Sequence, residues 1–243
     1  MRGYRGVDFE QGESMSRLFF VVAIALFGAS SAHAGFVTGL YNTGIDTNGN
    51  LANDRTSDPH YTLIRSADGS ISVPQSAVVA DTTKFPFVTD GWLASGTLSK
   101  WIAPISNQSV GNSIGDYVYR TSFQIVGGDP TGIRITGIWT ADNYGKDIVI
   151  NGHSTGISYR APGDYTFKAF QSFVLPSDYF VNGTNTLDFV VNNSDNGNGK
   201  TPTGLRVELV ATTIAPEPSS WVLAVCGLAA LGLYRRPRFL VGG

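Results

Sequence analysis

Gly152-His153-Ser154-Thr155-Gly156 has the G-x-S-x-G spacing that places a serine nucleophile on a strand-to-helix elbow. That chemistry needs an acid and then a histidine after the serine, and a helix leaving the turn. No histidine follows His153, and Ile157-Ser158-Tyr159-Arg160-Ala161-Pro162-Gly163 has no helical pattern. Asn151-Gly152 therefore reads as a hairpin turn and not as part of an esterase. The H-E-x-x-H spacing of metalloproteases, a P-loop and a dinucleotide fingerprint are all absent. Glycoside hydrolysis needs two opposed carboxylates. Aspartates are plentiful, but Glu208 alternates outward on an expected strand, and no pair is indicated.

Two other chemistries fit particular residues. Asp46-Thr47-Asn48-Gly49-Asn50, with Asn53 and Asp54 close behind, sets oxygen side chains at alternate positions, as a hard cation such as Ca2+ requires. Leu51 and the lack of a closing glutamate depart from a full calcium loop. The same residues are ordinary turn formers, so Asp46, Asn48, Asn50 and Asp54 stand as a candidate cation set beside that plainer role. Sugar binding uses aromatic faces together with a few convergent polar groups. Trp92, Trp101, Tyr144 and Tyr159 lie in or beside expected loops, with Asp142 and Asn143 as polar partners. Each aromatic has a core or turn role as its alternative, because large aromatics are usually buried. Trp139 is assigned to the core, on the face it shares with Ile133 and Ile135.

The elements that would position these groups are strands. Between residues 35 and 215 Glu208 is the only glutamate, while Gly, Thr, Ser, Asn, Val, Tyr and Phe dominate, a composition for strands joined by tight turns. Tyr117 to Ile125 alternates an apolar face with Arg120, Ser122 and Gln124, and Leu205, Val207 and Leu209 alternate with Arg206 and Glu208. Further strands are expected at 133–140, 147–151, 166–174 and 185–192. They are punctuated by Asp129-Pro130-Thr131-Gly132, Asn151-Gly152, Asn182-Gly183 and Asn196-Gly197. The expected fold is an all-β single β-sandwich over 35–215. This region carries 11 Lys/Arg against 15 Asp/Glu, a net charge of −4, with no basic cluster, which argues against nucleic acid and anionic membrane surfaces. The single cysteine, Cys226, lies outside it, so neither a disulfide framework nor a cysteine zinc site is available there.

The two ends read as addresses. Arg17, the apolar run from Leu18 to Gly28, and Ser30-Ser31-Ala32-His33-Ala34 form a signal peptide over 1–34, with Met15 the expected start and cleavage expected after Ala34. Near the C-terminus, Pro216-Glu217-Pro218 precedes an apolar stretch from Trp221 to Tyr234 and then Arg235, Arg236 and Arg238. Fourteen helical residues span only about 21 Å, short of the hydrocarbon core, so the expectation is a temporary transmembrane helix with its arginines cytoplasmic.

Residues 216–243 resemble the PEP-CTERM sorting signal of Gram-negative bacteria, which has the same three parts in the same order at the end of a chain; Phe239 to Gly243 extend past the usual basic end. The resemblance implies export through Sec and signal peptidase, transient anchoring in the inner membrane, and recognition by an exosortase. Delivery to the cell surface or an exopolysaccharide matrix follows. The central region is similar to galactose-binding-like jelly rolls through Tyr119-Arg120-Thr121-Ser122-Phe123, Trp139-Thr140-Ala141-Asp142-Asn143 and Val149-Ile150-Asn151-Gly152. It continues with Phe180 to Leu187 and Gly204-Leu205-Arg206-Val207. Leu40 to Gly44, Asp58 to Leu63 and Trp92 to Trp101 resemble the part that often precedes that domain, which places 35–215 in one domain. The function these features imply is that of a noncatalytic surface or matrix protein binding polysaccharide through its sandwich. A self-assembling biofilm protein without a ligand is the alternative, with a glycoside hydrolase behind it.

Overall fold

Strict alternation over long stretches makes every second side chain face one side, and here the alternating runs set the architecture. The structure is a computed structural model that describes residues 35–213, apart from 90, 195, 196 and 198, together with Leu228. The expectations at Ala32, Ala34, Pro216, Glu217, Pro218, Arg235, Arg236 and Arg238 lie outside the described residues, as does the expected membrane helix apart from Leu228. Among the described residues no helix is long and apolar enough to cross a membrane.

The described strands are, in chain order, β1 (Phe36–Thr38), β2 (Ser57–Arg65), β3 (Gln75–Val79), β4 (Ile102–Ala103), β5 (Asn112–Ser113), β6 (Gly115–Val126) and β7 (Ile133–Asp142). They continue with β8 (Tyr144–Ile150), β9 (His153–Ser154), β10 (Gln171–Val174), β11 (Gly183–Asn193), β12 (Lys200–Thr201) and β13 (Gly204–Thr213). Over residues 35–213 the fold is all-β. One antiparallel sheet runs β10-β7-β13-β4-β3-β2-β6-β11-β8-β9, with β1 added against β6, while β5 and β12 pair separately. The sheet curls at the short β3 and β4, so its two halves face each other as the layers of a β-sandwich. Trp139 on β7 and Phe173 on β10 meet Phe189 of β11 across that interior, with ring centroids 6.0 and 6.3 Å apart.

The long strands obey their sequence patterns. On β6, Tyr117, Tyr119, Phe123 and Ile125 are buried, while Arg120 on the outer face forms a two-pronged ion pair with Asp188 opposite it on β11, at 2.6 and 2.7 Å. Trp139 is fully buried, as expected. Its ring is accommodated by Gly145 at the start of β8: a Cβ there would stand 2.2 Å from the indole. Gly145→Ala is therefore expected to cost roughly 1–3 kcal/mol through overpacking, read as a lower urea midpoint with an unchanged slope. An unaltered midpoint would mean that the indole is free to move aside.

Two segments differ from expectation. The strand expected over 166–174 is confined to Gln171–Val174, and Thr166–Lys168 form a single 3-10 turn. There Thr166 is buried, and its hydroxyl is committed to the main-chain oxygens of Ala141 and Asn143, which ties the segment to the end of β7 and removes it from the ladder. Arg206, expected on an outward face, is 3% exposed. The outer face of β13 is covered by residues 91–101, a tertiary contact that strand alternation does not report. Beneath that cover lies a second small core of Ala80, Trp92 and Trp101, with Phe87, Leu93 and Phe167 packed around it.

Candidate functional site

The cover over β13 creates two adjoining clefts. Gly91 and Trp92 line both. The smaller, about 200 Å³, is walled by Trp92, Asp142, Asn143, Phe167 and Thr201, with Phe85, Tyr165 and Pro202 completing its lining. Phe85 and Tyr165 remain 44% and 59% exposed, so they offer ring faces to a ligand. The larger, about 580 Å³, is lined by Thr82, Phe87, Leu93, Ala94, Ser95 and Lys168.

Asp142 is the last residue of β7 and is almost wholly buried. Its Oδ2 accepts a 2.6 Å hydrogen bond from the Trp92 indole, whereas its Oδ1 has no partner among the described residues. Burial raises its pKa to about 7, against the smaller opposing effect of the Trp92 donor. A buried carboxylate oxygen without a donor is costly to leave so, and such groups concentrate where a protein binds something. Asn143 follows across a cis peptide bond. Its Oδ1 accepts from the Ser194 amide, and its side-chain nitrogen has no acceptor among the described residues. In the lining of the smaller cleft the pair supplies an acceptor, itself buried, and a donor, the two groups a sugar hydroxyl uses.

The polar pair nominated from the sequence lines this cleft, and of the four aromatics nominated with it only Trp92 does. Trp92 and Trp101 are not open platforms: they are 4% and 1% exposed and stack on each other with centroids 4.3 Å apart. The indole N–H of Trp101 is spent on the Leu93 carbonyl at 2.8 Å. Trp92 contributes a wall, and Trp101 supports it. Tyr144 and Tyr159 sit elsewhere. Tyr144 lies under the Arg160 guanidinium at 4.5 Å, and Tyr159 exchanges backbone hydrogen bonds with Gly145. The exposed aromatics at the cleft are Tyr165 and Phe85, each beside turn chemistry (Pro162-Gly163 and Pro86), and that placement was the signal available in the sequence.

The carboxylates of the candidate cation set each have partners in the structure. Asp46 Oδ1 caps its own loop by accepting from the amides of Asn48 and Asn50, both at 2.9 Å. Asp54 instead binds Lys100 at 2.8 Å and the amide and hydroxyl of Thr82. The two carboxylates serve different partners, and among the described residues no group of three or more His, Cys, Asp or Glu is arranged to hold a metal ion. The G-x-S-x-G segment is a β8–β9 hairpin with Asn151 and Gly152 at positive φ, the two-residue turn that matches strand twist. Ser154 donates to Asp147, and His153 stacks on Tyr179.

No family model matches the chain, and no curated protein matches it. Among solved structures, a family 35 carbohydrate binding module from an environmental isolate is similar over 66% of this chain and 96% of its own, at 11% identity and a TM-score of 0.31. A likeness so loose says nothing about a ligand.

Proposed function

We propose that this chain is a noncatalytic, exported protein of the bacterial surface or exopolysaccharide matrix that binds glycan in the cleft between Asp142 and Tyr165. The observation that carries the binding is the buried, unpartnered Asp142 Oδ1 beside exposed aromatic faces. A sugar hydroxyl donating to that oxygen satisfies it, and an apolar sugar face lies on Tyr165 or Phe85. Asp142 is the one carboxylate lining either cleft among the described residues, which favours binding over acid–base hydrolysis. Export and exosortase processing rest on the sequence of the two ends. Processing is checked by the intact mass of the protein recovered from its host. A species running from near Gly35 to near Pro218 supports delivery to the matrix, and a mass that keeps Trp221 to Arg238 overturns it.

Binding is checked by titrating the full chain with oligosaccharides from the host's exopolysaccharide. Tyr165→Ala is expected to weaken binding roughly tenfold, about 1.4 kcal/mol. The fold should be unaffected, because this ring is mostly exposed. Equal affinity of the variant and the parent would remove the cleft from consideration.

A further inference from the structure

The larger cleft differs chemically from its neighbour. No carboxylate lines it among the described residues, whereas the Lys168 ammonium does. Lys168 makes no ion pair with any described residue, and its Nζ stands 5.8 Å from the Tyr165 ring, at the junction of the two clefts. Ser95 also lines the cleft, and its hydroxyl is buried with no partner among the described residues. The backbone amides of Ala94 and Ser95 also donate to no acceptor among the described residues. The Ala94 carbonyl is itself held by the Arg206 guanidinium at 2.5 Å, whose charge is balanced by Glu208 at 3.5 Å, so Lys168 is the cation that lines the cleft.

An ammonium, an unpartnered hydroxyl and unpaired amides around one cavity are what an oxyanion requires. We propose that the larger cleft is an anion subsite that takes a carboxylate or sulfate-ester substituent of the glycan seated in the smaller one. This inference rests on the glycan reading of the site and adds the class of sugar. Gly91 and Trp92 line both clefts, so one ligand can reach from the smaller into the larger with its acidic group on the Lys168 side.

The test is calorimetric titration of the full chain with three oligosaccharides of one backbone: neutral, uronate-containing and sulfated. At least one acidic form is expected to bind roughly tenfold more tightly than the neutral one, with the advantage shrinking as salt rises. The arm that gains identifies the substituent. Lys168→Met is expected to bring the acidic ligand down to the neutral affinity, and Ser95→Ala to remove part of the advantage. Equal binding of acidic and neutral forms, or an advantage that survives Lys168→Met, overturns the anion subsite and leaves glycan binding standing. Failure of all three ligands to bind overturns both.

Discussion

Replacing Arg206 by alanine is expected to destabilise the domain by about 3–5 kcal/mol, the range for removing a buried charged group from its partners. Its Nε donates to Ser99 Oγ at 2.7 Å, and one terminal nitrogen donates to the Ala94 carbonyl. The other terminal nitrogen faces Glu208, and the guanidinium lies 4.8 Å from the centre of the Phe170 ring. Burial lowers the pKa of this group, with Glu208 opposing, but a guanidinium remains charged throughout the working range. The residue therefore fastens the 91–101 cover to the outer face of β13. Urea unfolding measures the loss, and hydrogen exchange over 93–100 localises it, because those amides should lose protection before the core strands do. Arg206→Lys keeps the charge and loses the fork, so it should fall between the two. Stability of the alanine variant within 1 kcal/mol of the parent would mean that the cover is held by its tryptophans alone.

How much of this was legible depends on whether the cause lay within a strand or between distant segments. The β6 alternation from Tyr117 to Ile125 predicted the buried and exposed faces correctly because both follow from the period of two. Trp139 fell to the core by the same logic. Arg206 did not, since its burial is imposed by a segment about a hundred residues earlier in the chain. The hydrogen bond from Trp92 to Asp142 likewise joins positions 50 residues apart. Sequence chemistry could nominate Asp142 and Asn143 as polar partners, and it could not say that Trp92 would be consumed as a wall. For the same reason Tyr165 was passed over: its value lies in lining the same cleft as Asp142, next to Thr166, which docks on the end of β7. The Asp46 loop shows the converse case, in which turn chemistry within the segment accounts for the hydrogen bonds seen there.

The state of Asp142 connects the stability of the domain to the occupancy of its cleft. In the unfolded chain this carboxyl ionises near 3.8, and in the folded protein burial pushes its pKa to about 7, with the Trp92 indole donor alone opposing. No charged side chain among the described residues contacts it. Between those two pH values the folded state holds a proton that the unfolded state has released, so stability falls as pH rises from about 4 to about 7 and levels off above. At about 1.4 kcal/mol per pH unit the difference approaches an order of 4 kcal/mol. Asp142→Asn keeps an acceptor for Trp92 and removes the titration, so its stability should lose this slope and exceed that of the parent at pH 8. Glycan affinity should move the other way in the parent. The ionised carboxylate is the stronger acceptor for a sugar hydroxyl, so affinity rises as pH passes upward through about 7, and in Asp142→Asn it is weaker and flat. The measurement is a set of urea midpoints and ligand titrations at half-unit steps from pH 4 to 8.5 for both proteins. Parallel stability profiles would show that Asp142 is ionised throughout and that its free oxygen is already satisfied by solvent.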